Sequence, residues 1–283
     1  MKNEASAHKL NSPVALLFIT SALCVSPLFG QVDAEVLRAK YGPAGTEVFE
    51  LRPGIQLSVV YGENHQVCKL DLRPTRSASV VPAALIEELL NEIVPPSIRG
   101  TPGRQSVACS GAHCWKMADY ENINIGQAPG DVTPNLEAPE QNSLALVQVV
   151  VARGSPLVGQ VDMLKAKYAP SVKEEFDVRP GIRLGIVYGE NHQVCTLDIR
   201  PTPSAPVIPA ALVEEIVNEV MPPTTREIFK SQGVVCLGNC VKLLIYENLI
   251  VEQTADDVTP NPEAPVQNWL AVVEVKSCKT AKP

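Results

Sequence analysis

The amino-acid sequence predicts an α+β fold, built as a tandem duplication of a domain of about 120 residues. Each copy is expected to be an antiparallel sheet with one main amphipathic helix and a short N-terminal helix. Three observations lead to this prediction. Long segments recur at a constant spacing, apolar residues alternate along several short runs, and each copy holds one apolar stripe at helical spacing.

The repeat is clearest in the octapeptide YGENHQVC, which occurs at Tyr61–Cys68 and again 127 residues later at Tyr188–Cys195. The motifs RPGI and PAAL recur at the same offset, and a one-residue deletion then changes the offset to 126 for YEN and DVTPN. A repeat this long is a domain, because solenoid units are much shorter. We therefore predict one domain at 31–153 and a second at 154–283, with the boundary in the turn-forming residues 153–156.

Each copy begins with a short helix followed by three strands. In the first copy, the helix is predicted at Val36–Tyr41, and alternation predicts strands at Glu47–Leu51, Ile55–Tyr61 and Val67–Leu72. The loop at 62–66 suits a hairpin, because its glycine and asparagine tolerate a positive φ.

An amphipathic helix that begins at Pro82 and ends at the proline pair 95–96 is the clearest element of the first copy. Its apolar stripe consists of Leu85, Ile86, Leu89, Leu90, Ile93 and Val94. The opposite face carries Glu87, Glu88, Asn91 and Glu92, and the second copy places Glu214, Glu215 and Glu219 in the same way. We interpret this acidic face as a solvated surface.

Three further strands are predicted after the main helix. One leads into Cys109, one runs from Cys114 through Tyr120 to Ile125, and Ser143–Val151 closes the copy as a strongly apolar strand. A long loop at 127–142 separates the last two.

Residues 1–30 have the pattern of a secretory signal peptide. Lysines near the start precede an apolar run at Pro13–Phe29, which is too short and too interrupted for a membrane helix. Cleavage is expected after Gly30, with Ala22 as a second possible site, and an uncleaved N-terminal anchor is the other interpretation. The pattern therefore predicts a secreted or periplasmic protein.

Composition and charge exclude some classes of function. The 283 residues carry a net charge of −7, and loss of the signal, with its two lysines and one glutamate, changes the charge to −8. An acidic chain is not expected to bind nucleic acid. No segment after the signal is long and apolar enough to span a bilayer, so no membrane span is predicted in the mature chain.

Seven of the eight cysteines lie beyond the predicted signal, and an oxidising compartment favours disulfides between them. We predict two disulfides, each across the neck of a hairpin: Cys109–Cys114 and Cys236–Cys240. A rival pairing joins Cys68 to Cys109 and Cys195 to Cys236.

Cys278 has no counterpart in the first copy, where Ala152 stands, so it pairs with Cys195, with a second chain or with nothing. A zinc site would have to use the first hairpin and its His113, but the second copy lacks that histidine. No metal site and no cofactor are predicted.

The sequence predicts no catalytic residues, since it contains no GxSxG, HExxH, P-loop or GxGxxG motif. The candidate binding residues form a polar cluster that occurs in both copies: Tyr61, Glu63, Asn64, His65, Tyr188, Glu190, Asn191 and His192. A glutamate and a histidine two residues apart can perform acid–base chemistry if both face a cleft. The alternative is a polar hairpin tip in solvent.

The long loops at 127–142 and 253–268 are second candidates, because loops of this length are often functional. They carry oxygen ligands suited to calcium, without the EF-hand spacing: Asp131, Asn135, Glu137, Asp256, Asp257 and Asn261. The alternative is a proline-rich connection across the end of the sheet.

These observations predict an exported, non-enzymatic protein of two homologous domains that binds a protein or a cell-envelope component. The alternative is a hydrolase whose site lies between the copies and uses the Glu/His hairpins. A purely structural envelope protein is a third hypothesis. The oligomeric state is left open.

Overall fold

The structure, a computed structural model, describes residues 34–62, 65–110, 113–135, 142–149, 157–190, 192–226, 228–237, 239–262, 268–276 and 278. The predicted signal and the predicted domain boundary lie outside these residues, as do Glu63, Asn64, Glu137 and Asn191 of the candidate sites.

The first half of the chain contains α1 (Ala34–Tyr41), β1 (Thr46–Arg52), β2 (Ile55–Tyr61), β3 (Val67–Pro74), α2 (Ala83–Ile93), α3 (Pro96–Arg99), β4 (Arg104–Ser110), β5 (His113–Asp119), β6 (Ile123–Gln127) and β7 (Ala145–Val149). The second half contains α4 (Val158–Tyr168), β8 (Lys173–Arg179), β9 (Ile182–Tyr188), β10 (Val194–Pro201), α5 (Ala210–Val220), a 3-10 turn (Pro223–Thr225), β11 (Phe229–Leu237), β12 (Asn239–Tyr246), β13 (Leu249–Thr254) and β14 (Ala271–Val275). No helix within the described residues is long and apolar enough to cross a membrane.

All fourteen described strands belong to one antiparallel sheet, in the order β11-β12-β13-β14-β10-β9-β8-β1-β2-β3-β7-β6-β5-β4. The two halves join where residues 46–48 of β1 lie opposite residues 173–175 of β8. Hydrogen bonds from the backbone N–H groups of Gly45 and Val172 extend this pairing at its two ends. The seam therefore pairs the first strand of one half with the first strand of the other.

The prediction of two separate α+β domains, each with its own sheet, is wrong. Alternation along a strand indicates which face is buried, but it does not indicate which strand lies at the edge. The edge of β1 is completed by β8 of the other half, so the two sheets are continuous.

The number of strands after the main helix was also predicted wrongly. The segment from Cys114 to Ile125 forms two strands, β5 and β6, because the chain turns at 120–122. The N–H of Tyr120 donates to the carbonyl of Ile123 at 2.9 Å and closes this turn. Four strands therefore follow α2, and four follow α5.

Two hydrophobic cores lie on one face of the sheet, one under each main helix. Ile86 and Leu90 of α2 are fully buried against Leu57 and Leu72 of the first half. In the second half, α5 packs in the same way on its own strands. Alternate residues along a strand such as β2 therefore face the core and the open side of the sheet, as the period-two alternation predicts.

The short N-terminal helices are exchanged between the halves. Leu37 of α1 belongs to the core of the second half, and Leu157, Val161 and Leu164 at the start of the second half belong to the core of the first. Each helix therefore crosses the seam and covers the strands of the other half.

Each exchanged helix also binds a glutamate on the main helix that it meets. Glu92 of α2 accepts hydrogen bonds from the Tyr168 hydroxyl and, at 2.6 Å, from the Lys167 ammonium group of α4. Glu219 of α5 accepts a hydrogen bond at 2.7 Å from the Tyr41 hydroxyl of α1. The interpretation of the acidic helix face as wholly solvated is therefore wrong for these two glutamates, whose side chains are only 21% and 16% exposed.

Truncation of α4 on its buried side tests the exchange. Leu164 is 3% exposed, and Leu164→Ala is expected to lower the free energy of unfolding by about 2–5 kcal/mol, through lost burial and a cavity in the first half. The measurement is urea denaturation of the full chain. Met163→Ala is the matched control, because Met163 is 60% exposed on the same helix and its truncation should cost under about 0.5 kcal/mol. Equal effects of the two substitutions would contradict the packing of α4.

Glu219 makes the stability depend on pH. Burial by itself would raise its pKa, but hydrogen bonds from Arg179, Tyr41 and Lys40 hold the pKa at about 2, below the ordinary 4.5. A lowered pKa in the folded state stabilises the protein above the unfolded pKa, so this stability is lost as the pH falls from 4.5 towards about 2. Urea denaturation as a function of pH should show a smaller acid loss in Glu219→Gln. Glu215→Gln is the control, because the Glu215 side chain is 64% exposed.

Candidate functional site

Tyr61 and His65 of the predicted binding cluster stack on each other at the β2–β3 hairpin. Their ring centroids are 4.0 Å apart, and His65 adopts a φ of 55°, which few non-glycine residues do. The Tyr61 hydroxyl donates to Glu47, which also forms an ion pair at 2.5 Å with Lys165 of the exchanged helix α4. The cluster therefore lies where α4 meets the first half.

Tyr188 and His192 repeat this arrangement at the β9–β10 hairpin. Their centroids are 4.1 Å apart, His192 also has a φ of 55°, and Glu190 of the predicted cluster is exposed to solvent. The Tyr188 hydroxyl donates to Glu174 at 3.0 Å. Arg38 of α1, the other exchanged helix, donates to the same carboxylate at 3.0 Å and 2.5 Å. Arg38 thus has the same role here that Lys165 of α4 has in the first cluster.

The two clusters meet at the seam through their glutamates. Glu47 and Glu174 are direct cross-strand partners in the β1–β8 pairing, and they occupy equivalent positions in the two halves. A pseudo-twofold axis therefore passes between them.

The bases of the two hairpins lie on either side of that axis. Tyr61 bonds to Gly45 at the start of β1, and Tyr188 bonds to Val172 at the start of β8. Because β1 and β8 are antiparallel, their starts lie at opposite ends of the seam. The hydrolase hypothesis, which requires a site between the copies, stays a prediction.

Electrostatics favour neutral rings in both clusters and a charged Glu174 in the second. Burial lowers the pKa of both His65 and His192 below the ordinary 6.5, and it raises the pKa of both tyrosines. Burial by itself would raise the pKa of Glu174, but hydrogen bonds from Arg38, Ser171 and Tyr188 hold it below its ordinary value. The tyrosines and histidines of the clusters thus stack on each other, and the tyrosines bond to the glutamates that meet the exchanged helices; the role of the cluster residues in binding a ligand stays a prediction.

Three described acidic residues of the long loops, Asp131, Asp256 and Asp257, bind backbone groups of this chain. Asp131 accepts a hydrogen bond at 2.9 Å from the N–H of Ala83 at the start of α2, and Asp257 does the same for α5. The Asn142 side chain bonds both the N–H and the carbonyl of Asn135. These contacts support the interpretation of the loop as a connection, and the described residues contain no group of three or more metal-ligating His, Cys, Asp or Glu side chains.

A polar cleft of about 620 Å³ lies on the open face of the central strands, opposite the helices. Its charged side chains form ion pairs with one another, among them Lys173–Glu175 at 2.6 Å and Arg73–Asp71 at 2.7 Å. Since these charges already have partners within the protein, a charged ligand would have to displace them.

Three cysteine pairs lie at disulfide distance. Two are the predicted hairpin pairs, Cys109–Cys114 and Cys236–Cys240, and the third joins Cys195 to Cys278. The rival pairing is therefore not present. Within the described part of the chain, Cys68 has no cysteine partner.

The outermost strands of the sheet, β4 and β11, are exposed along most of their length. In β4, the residues from 104 to 109 are exposed, and in β11 those from 229 to 236 are exposed. Apolar side chains contribute to this surface, since Val107 is 65% and Val234 is 61% exposed. We call β4 and β11 the two edge strands.

The register of the disulfides shows which backbone groups of the edge strands face outward. Cys109 and Cys114 are direct partners with Cα atoms 4.0 Å apart, which is the narrow, non-hydrogen-bonded kind of pair. The N–H and C=O of Cys109 therefore point away from β5. Because the pattern has a period of two, those of Val107 and Gln105 do the same.

The second edge strand repeats this pattern with the same residues. Cys236 and Cys240 are direct partners with Cα atoms 4.1 Å apart, so the outward-facing residues are Cys236, Val234 and Gln232. Both edges thus present the sequence Gln-x-Val-x-Cys, at an offset of 127 residues. No described strand covers either edge.

Comparison of the chain with protein-family models, with curated proteins and with solved structures finds no match. The candidate site is therefore identified by its geometry alone.

Sequence reasoning missed the edge strands as candidates, although their signal was present. The pattern Gln-x-Val-x-Cys occurs in both copies directly before the hairpin disulfide. The sequence predicts a strand that leads into Cys109, but only the order of strands in the sheet places that strand at the edge.

Removal of the charge on Glu174 tests the seam cluster. Glu174→Gln keeps the size of the side chain but leaves Arg38 without its buried counter-charge, so the free energy of unfolding is expected to fall by about 1–3 kcal/mol. Urea denaturation at neutral pH measures this loss. Glu35→Gln is the control, because Glu35 pairs with the same arginine but its side chain is 76% exposed, and its loss should cost under about 0.5 kcal/mol. A loss from Glu174→Gln no larger than that from Glu35→Gln would contradict this account.

Proposed function

We propose that this protein is an exported, non-enzymatic binding protein that captures an extended segment of another polypeptide by strand addition at β4 and β11. In strand addition, an incoming segment pairs with an exposed sheet edge through backbone hydrogen bonds, and alternate side chains add specificity. The observation that carries the proposal is the pair of exposed edges that share the pattern Gln-x-Val-x-Cys, with outward-facing backbone groups at Gln105, Val107 and Cys109 and at their counterparts.

Exposed backbone groups at both edges support this proposal. An unpaired strand edge is a template for another strand, and proteins that do not use such an edge usually protect it with proline, lysine, a bulge or a covering segment. In β11, the bulge between Phe229 and Ser231, which contains Lys230, affects only the start of the strand. In β4, the charged residue is Arg104, also at the start. The rest of each strand carries neither proline nor charge.

The hairpin disulfides support the proposal, because they pre-organise the edge strands for binding. Each connects an edge strand to its only described neighbour in the sheet, close to the hairpin turn. A disulfide across so short a loop adds little stability to the whole chain. It does hold the edge strand against its neighbour, so that less conformational entropy is lost when a segment binds.

The disulfide pairs and the signal pattern of residues 1–30 support export, because disulfides persist in oxidising compartments such as the periplasm and the extracellular space. The geometry of the hairpin clusters supports a non-enzymatic role. Their tyrosine hydroxyls donate to Glu47 and Glu174, and these two glutamates pair with Lys165 and Arg38 of the exchanged helices.

Selection of short random peptides displayed on phage, against the immobilised full chain, tests the proposal. Enriched peptides should bind the double variant Val107→Pro/Val234→Pro about tenfold or more weakly, since proline removes one outward N–H at each edge and leaves the bonds to β5 and β12 in place. Affinities are measured by fluorescence anisotropy of the labelled peptides.

Val107→Thr/Val234→Thr is the matched control, because threonine keeps both the N–H and the β-branched shape. This variant should bind the peptides within a few-fold of the unmodified protein. Enriched peptides that bind both double variants equally well would show a site elsewhere and overturn the proposal.

A further inference from the structure

We propose that the segment captured at each edge belongs to a second copy of this chain, so that the protein associates with itself through β4 and β11. This inference rests on the proposed function and names its partner. The observation that carries it is the self-complementarity of the two edges.

Two such strands can pair antiparallel about the central valine, which brings all three outward-facing residues into register. With Val107 opposite Val107 of a second copy, Gln105 lies opposite Cys109 of that copy, and the arrangement has a twofold axis. Pairing with the other edge gives the same contacts, since Val107 then meets Val234 and Gln105 meets Cys236. Every combination of edges therefore places valine against valine, with the outward backbone groups of the two strands in register.

The same mode of contact already joins the two halves of the chain. At the seam, equivalent strands pair antiparallel, with Glu47 opposite its own counterpart Glu174. The ladder there extends over three residue pairs, whereas β4 offers seven residues and the regular part of β11 after its bulge offers seven more, from 231 to 237. Pairing between copies would continue the fourteen-stranded sheet in the same geometry.

The side chains on the edges suit contact with a similar strand. Val107, Val234 and Val235 are 65%, 61% and 54% exposed, and a neighbouring strand would cover them. A methyl group built on Gly233, within β11, would have no described atom within 4 Å, so the face of the sheet is open at this position. Apolar β-branched pairs across adjacent strands stabilise a sheet.

The two edges lie at opposite ends of the same sheet, which determines the kind of assembly. A copy that uses one edge still has the other available, so association does not close after a dimer. Linear assemblies of increasing length are expected as the protein concentration rises. A variant with one blocked edge should stop at the dimer.

Sedimentation velocity of the full chain over a wide range of concentrations tests this inference. The unmodified protein is expected to form species larger than a dimer, Val107→Pro or Val234→Pro alone is expected to form no species beyond a dimer, and the double variant is expected to remain monomeric. If the proline variants do not fold, as judged by circular dichroism, Val107→Lys and Val234→Lys replace them, because a charge on an edge strand also opposes pairing.

Val80→Lys/Val207→Lys is the matched control. These two valines are equivalent in the two halves, 51% and 53% exposed, and lie outside the edge strands. This variant should associate as the unmodified protein does. If this control variant fails to associate while the edge variants still do, the inference is overturned. It is also overturned if the unmodified protein is a monomer at every concentration.

The outcome is distinguishable from that of the proposed function. A protein that remains monomeric but selects edge-dependent peptides captures a different polypeptide, which overturns the second copy as partner and supports strand addition. A monomer that selects no edge-dependent peptide overturns both.

Discussion

Three residue pairs of β1 and β8 hold the two halves together as one sheet, and two largely buried glutamates lie side by side at their centre. Like charges in this position repel each other unless cations and hydrogen-bond donors surround them. Arg38 and Lys165 supply the cations, and both come from the exchanged helices. The seam therefore depends on the exchange, and the exchange in turn buries the apolar side of each short helix, which would be marginal in water by itself.

This interdependence explains the positions of the tyrosines and histidines that occur in both hairpins. The tyrosines reach from the hairpins to the central glutamates, and the histidines stack on the tyrosines at a positive φ. The hairpin motif whose Glu and His suggest acid–base chemistry in the sequence is thus connected, through its tyrosine, to the seam between the halves. The same pseudo-twofold arrangement that places these clusters near the axis places the two edge strands as far from it as the sheet allows.

The described contacts divide the molecule into a centre and a periphery. At the centre, charged groups have partners within the chain, as in the polar cleft and the helix clusters around Glu92 and Glu219. At the periphery, β4 and β11 present backbone groups and valines to solvent, and disulfides hold the two hairpins in shape. Binding at the periphery leaves the contacts at the centre intact, which is why the edges are the better candidate site.

The sequence by itself determined the local structure: the hairpin of β2 and β3, the main helices after Pro82 and Pro209, and the cysteine pairs of neighbouring strands. These depend on period, turn residues and short separations, which are visible in one segment at a time. Only the tertiary structure decided that the halves share one sheet, that α1 and α4 each pack on the other half, and that Cys195 pairs with Cys278. Each of these joins segments distant in the chain, and an apolar stripe indicates that a helix must be covered without indicating by which half.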